Sequence, residues 1–280
     1  MTTPTLPMLR RIVRRALAED VGRGDVTSQA VVPTAAKCAA AVAMREAGVI
    51  AGLAVAEIVF REVDAGVDFR ASAADGDAVD KGAVVAEVSG PARAVLTAER
   101  TALNFLQRMS GIATLTRRYV SAVAGTSARI LDTRKTAPGL RRLDKWAVAL
   151  GGGTNHRFGL YDGILIKDNH LRLAGGVRAA VGAAKQGAPH RLRVQVEVES
   201  LEQAREALDA RAESLLLDNM SPRDMRAVVE LARGRALTEA SGGVTLKNVR
   251  EIAETGVDFI SVGALTHSAP ALDIALDISA

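Results

Sequence analysis

Between Arg134 and Lys167 the sequence gathers groups able to grip an anion: Arg134, Lys135, Arg157 and Lys167, with His156 among them. A guanidinium meets a carboxylate through two parallel N–H bonds, lysine adds a compact point charge, and such charge-assisted bonds are the strong ones. His156 follows Gly151-Gly152-Gly153-Thr154-Asn155, a glycine run that lets backbone approach a ligand closely. Further on stand Glu197 and Asp218, a spacing that suits a magnesium site or the hydroxyls of a sugar. Glu199 shares Glu197's face by strand alternation, so spacing alone does not exclude it. Last come Ser241-Gly242-Gly243 and Val262-Gly263-Ala264, whose backbone N–H groups could cradle phosphate. The plainer alternatives are solvated loop charges, structural ion pairs and ordinary turn glycines.

The elements that must position these groups are legible as a βα alternation. Apolar strand candidates run through 128–133, 163–168, 193–198, 214–219, 235–240 and 258–263, apolar on both faces as buried parallel strands are. Helical patterns lie between them at 140–150, 176–185, 201–210, 222–233 and 246–254, with Ser221 and Pro222 placed as N-cap and first-turn residues. The alternation predicts a doubly wound sheet or a barrel. No GxGxxG follows the first strand, which weakens the dinucleotide fold, and the regular spacing of the later strands favours the barrel. Each of these strands then delivers polar, charged or glycine groups at its carboxyl end, where barrels place their chemistry, and His156 and Arg157 follow the glycine run between the first two. Six strands rather than the usual eight or so mean either an incomplete barrel or strands that the pattern does not reveal.

The preceding segment has a different style. A first helix is predicted over 9–18, a strand over 37–46, a helix over 53–63, a turn-rich β segment over 75–94 and a helix over 95–111. The stretch GDAVDKGAVVAEV is faintly similar to a biotinyl or lipoyl domain, but no lysine stands in the required tight turn.

Composition narrows the classes. Aromatic residues make up 3% of the chain, too few for the stacking platforms of single-strand nucleic-acid binders. The net charge is +4, yet the basic residues form no long run, so a basic pocket fits better than a nucleic-acid tail. Nothing approaches the roughly 18 apolar residues of a membrane span, so no membrane partner is expected. The lone Cys38 forms no internal disulfide and is compatible with a cytoplasmic location.

The runs EDVGRGDVTS (19–28), ERTALNFLQRMSGIAT (99–114), LDTRKTAPGLRRLDKWAV (131–148), GGGTNHRFGLYDGILIKDNH (151–170), VEVES (196–200), LLLDNM (215–220), EASGG (239–243) and FISVGALTHS (259–268) resemble the quinolinate phosphoribosyltransferase family, decarboxylating nicotinate-nucleotide pyrophosphorylases. The resemblance covers nearly the whole chain in the expected order. It implies an α/β protein: an N-terminal α/β sandwich domain over 1–113, an atypical incomplete α/β barrel over 114–266, and a tail over 267–280 that packs back on the first domain. It implies phosphoribosyl transfer from phosphoribosyl pyrophosphate to quinolinate, with loss of CO₂, in de novo NAD synthesis. It implies quinolinate contacts from Arg100, Arg134, Lys135, His156, Arg157 and Lys167, sugar-pyrophosphate contacts that include Glu197, Asp218, Ser241, Gly242, Gly243 and Gly263, and further substrate contacts from Thr133, Val262 and Ala264. Lys135, Lys167, Glu197 and Asp218 carry the implied catalytic roles, and Glu197 and Asp218 hold Mg²⁺ directly or through water. Which lysine assists decarboxylation or protonation stays open. The family's sites are shared in dimers or larger assemblies, so Arg100 is expected to serve a partner subunit's site. Two departures are small: Ala137 stands where threonine is common, and Trp146 where tyrosine is common. The rival readings are a molybdenum-transport-associated relative with another ligand and a non-catalytic sugar-phosphate-binding barrel. The intact LDTRKT and NHR runs disfavour the first, and the clamp together with the acidic pair disfavours the second.

Overall fold

The computed structural model describes residues 3–187, 189 and 192–279. Met1, Thr2 and Ala280, which the expected domain boundaries include, lie outside the described residues. The chain divides into two compact units: Met1–Arg117 with Thr136–Gly152 and Leu265–Ala280, and Arg118–Lys135 with Gly153–Ala264. It opens with α1 (Leu6–Asp20), α2 (Val26–Val31), β1 (Lys37–Met44), β2 (Gly48–Val49), α3 (Leu53–Val63), β3 (Asp68–Ala71), β4 (Ala78–Val79), β5 (Val84–Pro91) and α4 (Ala92–Ala122). There follow β6 (Arg129–Leu131), α5 (Arg141–Leu150), β7 (Ile164–Ile166), α6 (Asp168–Ala174), α7 (Val177–Gly187), β8 (Val194–Val198), α8 (Leu201–Asp209), β9 (Ser214–Asp218), α9 (Pro222–Ala232), β10 (Leu237–Ser241), α10 (Val249–Ala253) and β11 (Phe259–Ser261). The chain closes with α11 (Ala264–His267) and β12 (Ile274–Ser279).

In the first unit an antiparallel sheet runs in the order β12-β1-β5-β3, so the chain's last strand pairs with its first, from Ala39↔Ser279 to Met44↔Ile274. Small and branched apolar residues, among them Ala40, Val42, Ala86 and Val88, bury one side of it. Arg10 and Arg14 of α1 pair with Glu62 of α3 at 3.1 and 2.6 Å. The start of α2 is set by Asp25, whose carboxylate accepts the Ser28 backbone N–H at 2.9 Å. These bonds to Ser28, the hydroxyl first and the backbone second, hold the Asp25 carboxyl below its ordinary range.

Two helix boundaries differ most from their sequence expectations. The helix predicted over 95–111 extends through Gly111 to Ala122. Gly111 is not a stop: a Cβ there would run into the Pro270 carbonyl oxygen. The glycine serves close packing of the 270–271 backbone on the helix, which outweighs its modest helix propensity. At the other extreme, the helix predicted over 246–254 shortens to α10, because Asn248 Oδ1 takes the Thr245 backbone N–H at 2.7 Å in a preceding turn.

The second unit carries all six expected strands as one parallel sheet, in the order β6-β11-β10-β9-β8-β7. Consecutive strands are neighbours from β7 to β11, and β6 lies beside β11. That is a ring with one seam, between β6 and β7, which no strand pairing closes among the described residues. The incomplete barrel is therefore literal. Thr154 forms a single parallel bridge with Leu131 on the seam side of β6. Val194, Val196, Leu215, Leu217, Ala240 and Ile260 are buried, consistent with strands covered on both faces. Among the described residues, no helix is long and apolar enough to cross a membrane.

Candidate active site

Every site residue predicted from the barrel lies in the second unit; all but His156 and Arg157, which stand in the loop between α5 and β7, fall at or just after carboxyl ends of its strands. Asp132, which follows β6, is fully buried, and its carboxylate organises the next crossing segment. Its Oδ1 accepts the His156 backbone N–H at 2.8 Å and its Oδ2 accepts Asn155 Nδ2 at 2.7 Å. Two residues that the sequence reading left unassigned thereby fasten the Asn155-His156-Arg157 tripeptide beneath the clamp. Thr133 Oγ1 accepts the Lys135 backbone N–H at 3.0 Å and turns the chain after β6.

The clamp cations are half-buried or exposed according to place: Arg134, His156 and Arg157 half-buried, Lys135 and Lys167 exposed. Burial first, and then the neighbouring Arg134 charge, push the Arg157 guanidinium below its ordinary value; Asp162 and Glu239 oppose them. Arg157 Nη1 donates to the Gly163 carbonyl at 2.8 Å, which holds the guanidinium stem against the start of β7. The connecting loop is itself fastened, since the Asp162 carboxylate accepts the backbone N–H groups of Phe158 and Gly159 at 2.7 and 2.9 Å. His156 Nδ1 accepts the Arg157 backbone N–H at 2.7 Å, and its Nε2 lies 3.3 Å from Glu239 Oε2.

The basic and acidic groups are not separate. Lys167 Nζ lies 3.2 Å from Glu197 Oε2. The Lys167 side chain is 49% exposed, so this pair is worth on the order of 0–1 kcal/mol. Glu199 lies beyond the end of β8, exposed, with its backbone N–H given to Gln203 Oε1 at 2.8 Å. Asp218 pairs in register with Ser241 on the adjacent strand, which brings the second carboxylate beside the serine of the glycine segment.

Asn219 ties these two strand ends together. Its backbone adopts a left-handed φ of 52°, its N–H donates to the Ser241 carbonyl at 2.9 Å, and its Nδ2 donates to Asp218 Oδ2 at 2.8 Å. Gly242, at φ 89°, sits against that side chain so closely that a Cβ would overlap Asn219 Oδ1. Gly243 also has a positive φ, of 59°, but faces open space. Val262 is buried at the end of β11, its N–H given to the Leu131 carbonyl at 2.9 Å, and Gly263 and Ala264 follow it half-buried. Arg100 belongs to the first unit and is exposed on α4, apart in sequence and unit from the clamp.

Residues 25–110 match the N-terminal domain, and residues 112–277 the C-terminal domain, of quinolinate phosphoribosyl transferase. The chain belongs to the quinolinate phosphoribosyltransferase family. Among its relatives, a probable nicotinate-nucleotide pyrophosphorylase [carboxylating] of Bacillus subtilis is 44% identical, over 97% of this chain and 93% of that protein. A quinolinate phosphoribosyltransferase [decarboxylating] of Nicotiana glauca is 46% identical, over 96% of this chain and 82% of its own. The solved nicotinate-nucleotide pyrophosphorylase of Francisella tularensis superposes with a TM-score of 0.93 at 40% identity, covering 99% and 98% of the two chains. A Streptococcus pyogenes relative superposes at 0.96 with 40% identity, covering 100% and 99%. Both halves of the chain thus belong to the phosphoribosyltransferase family as one continuous match, in agreement with the six-stranded ring and its seam.

Proposed function

We infer that this chain is a decarboxylating quinolinate phosphoribosyltransferase of de novo NAD synthesis, with its chemistry at the strand ends of the second unit. The observation that carries the reading is the meeting of a multi-cation cluster with two carboxylates, joined through the Lys167–Glu197 pair at 3.2 Å. The two carboxylates of quinolinate sit on adjacent ring carbons, and desolvating both requires several donors. Arg134, Lys135, His156, Arg157 and Lys167, with the Thr133 turn, form the side that takes them. Glu197, Asp218, Ser241, Gly242, Gly243, Val262, Gly263 and Ala264 form the side that takes the phosphorylated sugar.

The reaction needs positioning and charge stabilisation rather than a covalent enzyme intermediate. The lone pair of the ring nitrogen forms a bond to the anomeric carbon of the sugar as the bond from that carbon to pyrophosphate oxygen breaks. The ring is now a pyridinium. The bond from its C2 to the neighbouring carboxylate then breaks, CO₂ departs, and the electron pair left on C2 is stabilised by the adjacent positive nitrogen. A proton taken up at C2 gives nicotinate mononucleotide. Lys135 and Lys167 are the cations positioned to steady these changes. The relatives' two labels, carboxylating and decarboxylating, describe one reaction named in opposite directions.

Mg²⁺ suits the acidic side. Glu197 and Asp218 are hard oxygen donors, and among the described residues no group of three or more His, Cys, Asp or Glu forms a closed metal site. A cation that keeps water and takes its remaining ligands from substrate phosphates fits a pair of carboxylates. It would neutralise the charge of the departing pyrophosphate. We assign the enzyme to the cytoplasm, supported by its lone Cys38, and to a homodimer or larger assembly in which Arg100 serves the partner subunit's clamp. Arg100's exposure, together with its match to the family motif in ERTALNF, supports that role. Nucleic acid and membrane are not expected partners.

The test is a split in kinetics. Arg134→Ala is expected to raise the quinolinate KM and lower turnover, whereas Glu197→Ala and Asp218→Ala mainly impair use of the sugar pyrophosphate. Wild-type quinolinate kinetics in the Arg134 variant would remove the clamp assignment.

A further inference from the structure

Beneath the clamp lies a carboxylate that the reaction as written does not use. Glu239 sits on β10, two residues before Ser241 and therefore on the same face of the strand. It is 3% exposed. Its Oε2 accepts Gln195 Nε2 at 2.8 Å and faces His156 Nε2 at 3.3 Å. Gln195 stands two residues before Glu197 on β8 and is likewise buried. The other oxygen of Glu239, Oε1, is buried with no hydrogen-bond partner among the described residues.

That arrangement is a poor one for stability alone. A buried carboxylate costs several kcal/mol of desolvation unless it is fully paired, and an apolar side chain of similar volume commonly does as well or better. Glu239 has a neutral amide, an imidazole and an unsatisfied oxygen. A carboxylate so placed points to what it does for its neighbours.

The effect on His156 can be read from the hydrogen bonds. Nδ1 accepts the Arg157 backbone N–H, so Nδ1 carries a lone pair and the ring proton sits on Nε2, aimed at Glu239. The imidazole is held from both ends, in one tautomer and one orientation. Arg157 is held by the same assembly through its own backbone N–H. Glu239 is also one of two carboxylates, with Asp162, that oppose the Arg134 charge at Arg157. A cluster of guanidiniums assembled before substrate arrives needs such an internal counter-charge, because like charges in a half-buried site repel strongly.

We propose that Glu239 is a positioning residue of the quinolinate clamp, which fixes the His156 tautomer and supplies the buried counter-charge that lets Arg134 and Arg157 stand together ahead of the substrate. It acts through His156 and Arg157. This rests on the functional reading above and assigns that site one further member.

The test pairs kinetics with a spectrum. Glu239→Ala removes both the acceptor and the charge, and Glu239→Gln keeps shape and an acceptor for His156 and Gln195 while removing the charge. Quinolinate and phosphoribosyl pyrophosphate are varied separately. For Glu239→Ala the expected result is a loss of about 100-fold in kcat/KM for quinolinate, the scale of a misplaced binding group, with the KM for the sugar pyrophosphate within about twofold of wild type. Glu239→Gln is expected to recover part of that loss. Equal losses on both substrates, no loss, or a Gln variant no better than Ala would overturn the proposal. The second arm needs no Glu239 variant to fold. In wild-type protein carrying ¹⁵N-labelled histidine, the His156 signals, identified by their absence in His156→Asn, are expected to show the neutral imidazole with its proton on Nε2 and a lone pair on Nδ1. A proton on Nδ1 would overturn it. Because the spectrum is independent of turnover, an inactive wild type would count against the functional reading while the spectrum still decides this one.

Discussion

Replacing Gly242 by alanine should separate the sugar-phosphate side of the site from the quinolinate side. Two costs arise. At φ 89° an L-residue is strained by about 1–3 kcal/mol. The added Cβ also overlaps the Asn219 carboxamide, which must move. That carboxamide donates to Asp218 Oδ2 at 2.8 Å, a bond worth about 1 kcal/mol net. Partial relief by local movement leaves about 2–4 kcal/mol, concentrated where Ser241 and Asp218 meet the sugar pyrophosphate. That corresponds to a loss of roughly 30- to 1000-fold in kcat/KM for that substrate. Gly243→Ala is the internal control: its φ of 59° carries strain but its Cβ meets nothing within 4 Å, so about 1–2 kcal/mol, or roughly 5- to 30-fold, is expected. The assay is initial velocity with each substrate varied at saturation of the other, alongside thermal melts of both variants. Sugar-pyrophosphate kinetics within about twofold of wild type in a folded Gly242→Ala protein would refute the argument, as would equal effects of the two substitutions.

Two further predictions concern the first unit. Arg100→Ala is expected to lose activity alone and to regain part of it when mixed assemblies are formed with a Lys167→Ala protein, since one composite site would then be intact; absence of rescue argues against sharing. Asp25→Ala removes the cap of α2 and should cost about 1 kcal/mol near neutral pH. Because the folded Asp25 carboxyl lies below its ordinary range, its stabilisation is present above the unfolded value and is lost as pH falls through the folded one. The gap between wild-type and variant urea midpoints should therefore narrow at about pH 3 relative to pH 7, and a gap that stays constant or widens contradicts the cap assignment.

The barrel strands were legible because parallel strands buried on both faces leave unbroken apolar runs, and all six appear where those runs stand. The rim followed from topology alone, since parallel βα order sends the ends of all strands the same way. The closure of that ring was not legible: pairing of β6 with β11, and the seam beside it, depend on hydrogen bonds between segments far apart in sequence. Gly111 misled for a related reason, its cause being a backbone approach from residues 270–271. β12 was missed as a strand although Ile274, Leu276 and Ile278 alternate, because the run is short and its partner is the distant β1. Within the site, the cations and glycines announced themselves by type. The residues that orient them did not. Asp132 reads as a strand-end acid, Asn155 as a turn residue, Asn219 as a loop residue and Glu239 as a charge in an apolar strand. One signal was available for Glu239, namely its alternation with Ser241 on the inward face of β10.

The central claim is tested most directly by following one labelled carbon. The protein is incubated with phosphoribosyl pyrophosphate, Mg²⁺ and quinolinate carrying ¹⁴C in the carboxylate beside the ring nitrogen, and released CO₂, pyrophosphate and nicotinate mononucleotide are measured together. The account predicts one CO₂ per pyrophosphate and per mononucleotide, with nicotinate a poor replacement for quinolinate because it lacks the second carboxylate that the Arg134–Lys167 cluster reads. Tight binding of both substrates without release of labelled CO₂, or equal use of nicotinate, would contradict it.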